Sequence, residues 1–216
     1  MRVFGLRRLR WPGRPGTGRT ARPPIWFVRH GRTDWNTENR LQGQRDQPLN
    51  ATGLDQAAEA ASRLALVADG RLGKAAFLAS PLVRATRTME VLRSRNGLPA
   101  GGYRTDPRLK GIGFGSWEGL TWDEVMRLDP EGVALSDRER WTFRPAGEGA
   151  ESYAMLADRV SSLLDELDRP TVIVAHGGVA RALFVLYGHL DPHTAARADV
   201  PQGGVLVLER DGWQIA

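Results

Sequence analysis

Two of the four histidines in the chain occur in the same local pattern, in which an apolar segment is followed by His-Gly. Arg29-His30-Gly31 follows the apolar residues 25–28, and His176-Gly177-Gly178 follows the apolar residues 171–175. The glycines permit sharp turns and a close approach of a ligand to backbone N–H groups. The pattern therefore predicts two imidazoles at the ends of two buried strands.

A third apolar segment, residues 75–79, leads into Ser80-Pro81-Leu82-Val83-Arg84. Two arginines and two histidines suit phosphoryl transfer, because guanidinium groups bind phosphate oxygens bidentately and histidine can form a covalent phospho-intermediate. The chain has no cysteine, which excludes thiol nucleophiles, thiolate metal sites and disulfides. It also lacks the Gly-x-Ser-x-Gly elbow of serine hydrolases and the His-Glu-x-x-His motif of zinc proteases.

Alternating strands and helices must position these residues. Apolar runs and helical spacing predict strands at 25–28, 75–79, 103–105, 171–175 and 205–209, and helices at 52–68, 83–95, 121–128, 151–167 and 179–187. Ser80 is predicted to cap the second helix, with Pro81 at its first position. The alternation predicts an α/β fold with a doubly wound, mostly parallel sheet and helices on both faces. Ligands bind such sheets at the carboxyl ends of the strands, where all three motifs fall.

The basic character of the chain resides in its first 24 residues. The length of 216 residues fits one domain with a short extension. Residues 1–24 hold seven of the 30 basic residues and no acid, and the remaining 23 bases face 25 acids. We therefore predict a disordered basic tail over 1–24, a single domain over 25–216 and no specific nucleic-acid partner. No apolar run approaches the length of a membrane span, so we expect a cytoplasmic protein without a membrane partner.

An ordered set of motifs runs through residues 25–209: Arg29-His30-Gly31-Arg32-Thr33-Asp34-Trp35-Asn36, Leu41-Gln42-Gly43, Ser80-Pro81-Leu82-Val83-Arg84-Ala85, Gly113-Phe114-Gly115-Ser116-Trp117-Glu118-Gly119, Ala150-Glu151-Ser152 and Ala175-His176-Gly177-Gly178. In this set the chain resembles the histidine phosphatase superfamily, also called the phosphoglycerate mutase-like family. The resemblance implies a three-layer sandwich and a phosphomonoesterase that needs no metal or organic cofactor. It also implies a small phosphorylated metabolite or a phosphoprotein as the partner.

The resemblance also implies residue roles. His30 would be the phosphorylated nucleophile, and Arg29, Arg84 and His176 would complete the phosphate pocket. Contacts to the phosphoryl or leaving group are implied for Asn36, Gln42, Gly43 and Gly177. Only about 45 residues separate Gly119 from the middle of the 151–167 helix, which favours a compact phosphatase over a mutase with long insertions.

Two positions depart from the family pattern. Arg32 stands where the family usually has glutamate, which adds positive charge beside the site. Gly111 stands where the family commonly has its glutamate proton donor, and a donor to the leaving oxygen is worth about 10²–10⁴-fold in rate. Glu118 is the substitute donor that the sequence offers. The departure leaves two alternatives open: a phosphatase for acyl phosphates or phosphohistidine, and a catalytically weak phospho-ligand binder.

Overall fold

The computed structural model describes residues 22–216. Most of the predicted basic tail, residues 1–21, lies outside this part, so its disorder stays a prediction. Residues 22–24 belong to the folded part: the Tyr187 hydroxyl donates to the carbonyl of Pro23 and the Thr171 N–H to that of Pro24.

A six-stranded sheet forms the centre of the described structure. Its strands are β1 (Ile25–Arg29), β2 (Ala76–Ala79), β3 (Arg104–Thr105), β4 (Thr171–Ala175), β5 (Val205–Glu209) and β6 (Gly212–Ile215). They lie in the order β3-β2-β4-β1-β5-β6. The first four strands pair in parallel, and β5 and β6 are added antiparallel at one side. The predicted doubly wound, mostly parallel α/β fold is confirmed.

Helices cover both faces of the sheet. They are α1 (Asp34–Thr37), α2 (Ala51–Ala68), α3 (Val83–Arg95), α4 (Trp122–Leu128), α5 (Pro130–Arg138), α6 (Tyr153–Leu164), α7 (Gly177–Leu186) and α8 (Pro192–Ala195). Because side chains alternate along a strand, Ile25 and Phe27 enter the core built with α6 and α7. Trp26 and Val28 enter the core built with α2 and α3. Both faces of β1 are thus buried, which explains its unbroken apolar sequence.

The helix α3 begins differently from the prediction. It starts at Val83, its N-cap is Leu82, and no side chain of the cap residue accepts a hydrogen bond. Instead, Asp46 of a distant loop accepts the Val83 N–H at 2.8 Å. The predicted capping role of Ser80 is therefore wrong. Its hydroxyl lies in the site described below.

The last strand brings the end of the chain to the edge of the sheet that carries the motifs. β6 runs antiparallel to β5, and Ala216 exchanges two backbone hydrogen bonds with Val205, at 3.0 and 3.1 Å. Val205 in turn pairs with Val28 near the end of β1. In the described part of the chain, no helix is long and apolar enough to cross a membrane.

Candidate active site

The two predicted histidines meet at the carboxyl edge of the sheet. Arg29 at the end of β1 pairs with Ala175 at the end of β4, so His30 and His176 follow at the same level. Their ring centroids are 5.1 Å apart and their planes are inclined by 59°. The His30 N–H donates to the carbonyl of Ala175 at 2.9 Å, which extends the strand pairing into the site.

His30 is held as a neutral imidazole with one defined tautomer. The ring is buried, and its Nδ1 lies 2.7 Å from the carbonyl oxygen of Gly31. A carbonyl can only accept, so Nδ1 carries the proton and Nε2 carries the lone pair. Burial lowers the pKa of His30 well below 6.5, and the positive charges of Arg84 and Arg29 lower it further. A buried, neutral imidazole with a free Nε2 is a competent nucleophile at neutral pH.

His176 is oriented by a residue that the sequence analysis did not assign to the site. Its Nε2 lies 2.8 Å from the hydroxyl oxygen of Ser80, which follows β2 at the same edge. Burial lowers the pKa of His176 well below 6.5, and the positive charge of Arg84 lowers it further. His176 is also the N-cap of α7, and its side chain does not cap the first turn of that helix. The position of Ser80 at a strand end was the available sequence signal.

Arg84 places a positive charge inside the protein, and no described carboxylate hydrogen-bonds to it. The residue is 1% exposed, and its guanidinium donates to two loop carbonyls, those of Arg45 at 2.7 Å and Gly43 at 3.0 Å. Its buried Nε has no partner among the described residues. Burial lowers its pKa to about 10, although Asp46 opposes the shift. The group therefore stays charged at neutral pH.

Arg29 repeats this arrangement on the other side of His30. It donates to the carbonyl of Val200 at 2.9 Å, and its buried Nε also lacks a partner in the described part of the chain. Burial and the nearby charge of Arg181 lower its pKa. A Cβ at Gly177, the first residue of α7, would lie 3.7 Å from the Nε of Arg29. Arg84 is buried and Arg29 is half-buried, and both have a buried Nε without a partner in the described structure, so together they form a cradle for an anion.

The loop at 42–45 closes one side of the site, and Glu118 holds it. Gly43 has a φ of +53°, and a Cβ there would overlap the carboxylate of Glu118. Glu118 Oε1 accepts the N–H groups of Gln44 at 2.9 Å and Phe114 at 3.1 Å. The buried Oε1 of Gln42 has no partner within the described residues. These contacts favour a loop-holding role for Glu118, and its role as a proton donor stays a prediction.

Gly111 borders the site, but a side chain there meets the same loop. Its φ lies outside the left-handed region, so the backbone itself would admit another residue. A Cβ would lie 3.6 Å from Cγ of His176, but only 2.6 Å from the carbonyl oxygen of Gly43. That carbonyl is one of the two acceptors of Arg84. The space for an acidic side chain at 111 is therefore filled by the backbone that holds Arg84.

Asn36 lies beside His30 at the start of α1. Its Oδ1 accepts the N–H and the hydroxyl of Thr33, both at 3.2 Å, and the Nε2 of Gln202 at 3.1 Å. Gln202 also donates to the carbonyl of His30 at 3.3 Å. The sequence offered no signal for Gln202, because it reaches the site from a loop 166 residues further along the chain.

Comparisons with known proteins agree with this geometry. A family model of the histidine phosphatase superfamily (branch 1) matches residues 25–216. Glucosyl-3-phosphoglycerate phosphatase of Mycobacterium tuberculosis is 38% identical over 168 residues, covering 73% of this chain and 71% of that protein. The metal-independent phosphoserine phosphatase of Arabidopsis thaliana is 34% identical over 167 residues, covering 74% and 67%. Among solved structures, mycobacterial glucosyl-3-phosphoglycerate phosphatase complexed with VO3 has a TM-score of 0.72 at 32% identity, covering 91% of this chain and 98% of that one.

Proposed function

The chain belongs to the histidine phosphatase superfamily, and we propose that it hydrolyses phosphate monoesters through a phosphohistidine intermediate on His30. The observation that carries the proposal is the state of His30: a buried, neutral imidazole near two guanidinium groups whose buried Nε atoms have no partner among the described residues. Relatives that are named phosphatases support phosphatase activity as the reaction class.

In the first half-reaction, Nε2 of His30 attacks the phosphorus atom. The N–P bond forms while the bond to the leaving oxygen breaks, and that oxygen takes the electron pair. Arg29, Arg84 and the backbone N–H groups at the start of α7 are positioned to stabilise charge on the three remaining phosphoryl oxygens. The hydrogen bond from Nδ1 to the Gly31 carbonyl stabilises the positive charge that develops on the ring.

In the second half-reaction, water attacks the phosphohistidine. The new P–O bond forms, the N–P bond breaks and its electron pair returns to Nε2. Inorganic phosphate leaves, and His30 regains its neutral state. His176, fixed by Ser80 and 5.1 Å from His30 between ring centroids, would contact the phosphoryl group in both steps.

The substrate in this proposal is a small phosphorylated metabolite. Relatives named for glucosyl-3-phosphoglycerate and phosphoserine support this class. A phosphoprotein is the alternative partner, which a panel of substrates separates from the first. The short stretch between Gly119 and α6 favours hydrolysis over mutase activity.

The carboxylates of the site favour a narrower candidate function, a phosphatase for substrates whose leaving group needs no proton. Asp46, Glu118 and Glu151 each accept a hydrogen bond from a backbone N–H. Burial is the largest single influence on the pKa of Glu151 and raises it, but the hydrogen bonds and charge of Arg159, together with the hydrogen bonds from Gly113 and Gln44, lower the pKa overall. The catalytic histidines are neutral at pH 7. Residues 1–21, which the structure does not describe, contain no Asp, Glu, His, Cys, Lys or Tyr. Acyl phosphates and protein phosphohistidine are the substrate classes whose leaving group needs little or no protonation.

A leaving-group series tests both candidates. Without a protein donor, p-nitrophenyl phosphate and acetyl phosphate should be cleaved at least about 100-fold faster than glycerol phosphate. Equal kcat/KM values for aryl and alkyl phosphates would overturn the narrower candidate and point to a donor, with Glu118→Gln the first variant to test. Binding of inorganic phosphate without any turnover would instead identify a phospho-ligand binder.

The nucleophile is tested by trapping. Acid-quenched enzyme should carry an alkali-stable, acid-labile phosphate on His30, and His30→Ala should lose both adduct and turnover. An adduct on another residue, or full activity of His30→Ala, would contradict the mechanism.

A further inference from the structure

The orientation of the Asn36 amide is fixed by backbone groups at both ends of a short hydrogen-bonded chain. At one end, the carbonyl of His30 can only accept, so the atom of Gln202 that faces it at 3.3 Å is the Nε2 donor. The same Nε2 faces Asn36 at 3.1 Å, which makes the Asn36 atom an acceptor, Oδ1. At the other end, the N–H of Thr33 can only donate, and it faces the same Oδ1 at 3.2 Å. The two ends thus give the same assignment independently.

This assignment leaves the other end of the Asn36 amide free. Its Nδ2 has no hydrogen-bond partner among the residues that the structure describes. If the amide were reversed, two donors would face each other at both Thr33 and Gln202. An oxygen would then replace the free donor, which would repel a phosphoryl group.

The backbone that carries Gln202 is itself held in place. The carbonyl of Gly203 accepts the guanidinium of Arg63 on α2 at 2.8 Å. Gly203 has a φ of +75°, and a Cβ there would already contact Gln56 at 3.4 Å. The backbone from which the Gln202 side chain extends is therefore fixed.

We propose that Gln202 is a positioning residue, which orients the Asn36 amide so that its Nδ2 donates to the phosphoryl group. The proposal rests on the proposed phosphatase function of the same site. Gln202 touches no reacting atom in this account. It acts through Asn36, and its hydrogen bond to the His30 carbonyl fixes the orientation of its own amide.

The experiment is a double-mutant cycle with Gln202→Met and Asn36→Ala, because methionine keeps the length of the side chain but cannot donate. Gln202→Met should lower kcat/KM for p-nitrophenyl phosphate about tenfold and weaken vanadate binding, measured by titration calorimetry, by a similar factor. In the Asn36→Ala background, the same substitution should change either value less than about twofold. Gln202→Glu, which accepts but cannot donate, should lower kcat/KM more than Gln202→Met does.

A matched control is Gln214→Met on β6, where the same chemical change should alter neither value. A loss below about twofold for Gln202→Met, or an equal loss with and without Asn36, would overturn the positioning role. If no substrate is turned over and no phosphohistidine forms, the phosphatase proposal itself fails. The vanadate measurements still decide the role of Gln202 in that case, because they need no turnover.

Discussion

Arg29 and Arg84 each place a positive charge at the site and hydrogen-bond only to carbonyl oxygens among the described residues. Nearby carboxylates, Asp199 for Arg29 and Asp46 for Arg84, offset part of the cost of burying these charges, but the buried Nε donors stay without partners. A bound phosphate would supply both a counter-charge and acceptors for these donors. Inorganic phosphate should therefore raise Tm, and thermal unfolding should show Tm rising with the logarithm of the phosphate concentration above its Kd.

For turnover, the bidentate geometry of the Arg84 guanidinium should matter more than its charge. We expect Arg84→Lys to lower kcat/KM about 100-fold or more, or roughly 2.7 kcal/mol of transition-state stabilisation, because an ammonium group cannot satisfy two loop carbonyls and a phosphate together. Arg87→Lys is the control, since Arg87 lies on the same helix but pairs with Glu90 at the surface. A loss under about threefold for Arg84→Lys would show that its bidentate geometry is dispensable.

The two buried histidines of the site should make stability depend on pH, and buried His189, whose pKa burial also lowers, should add to the effect. The pKa of each is depressed in the folded protein, so below pH 6.5 the unfolded chain binds protons that the folded protein does not. The free energy of unfolding should therefore fall by roughly 1 kcal/mol for each of His30 and His176 between pH 7.5 and pH 5.5. Urea unfolding at the two pH values measures this, and His176→Gln should remove the contribution of one histidine. An unchanged dependence in that variant would mean that His176 does not titrate as burial requires.

The residues that sequence reasoning located are those whose signal is local. His30 and His176 each follow an apolar strand, and parallel strands must end at a common edge. Gln202 and Asp46, which caps α3, could not be located in this way, because their contacts join segments that only tertiary packing brings together. The roles of Asn36 and Gln42 rest on resemblance and stay predictions.

At the level of elements, the N-terminus of α3 is capped by a residue outside the helix. Asp46 accepts the first N–H of α3, and it is also the leading charge that opposes the lowered pKa of Arg84. Asp46→Ala should therefore cost about 0.5–2 kcal/mol of stability and also lower kcat/KM, since Arg84 lies in the first turn of that helix. Ser152→Ala removes the cap of α6 on the other face and should lower stability alone. Equal activity losses in both variants would contradict a specific link between the cap and the site.

Four of the α-helices and strands of the described structure were not predicted, namely the short helices α1 and α8, the helix α5 and the strand β6, and the last two lack an apolar pattern. Asp129-Pro130 correctly marks the end of α4, but Asp129 also caps α5 and Pro130 opens it. Only Gly132 and Ser136 of α5 are buried, so its sequence has no apolar stripe from which the helix could be predicted. β6 is a half-exposed edge strand that begins with glycine and lacks the apolar run of the central strands.

For the molecule as a whole, the residues just before the first strand pack against the rest of the described structure. Arg22 donates to the carbonyl of Leu186 at 2.6 Å and its guanidinium lies 6.0 Å from the ring of Tyr187. We expect removal of residues 1–21 to leave Tm unchanged, whereas removal of 1–24 should lower it by several degrees, because buried groups of Tyr187 and Thr171 lose their partners. Thermal unfolding of both truncations decides this. Equal Tm values for the two would show that residues 22–24 contribute nothing to the fold.

The position of β6 also indicates where a fluorescent reporter could be attached. Ala216 lies level with Val28, two strand spacings or about 10 Å from β1, on the same edge of the sheet as the phosphate cradle. Ile25 begins β1 at the opposite edge. A fluorophore joined to Ala216 would thus sit close enough to sense occupancy of the pocket by quenching. Surface immobilisation through the amino-terminal side would leave the pocket facing the solution.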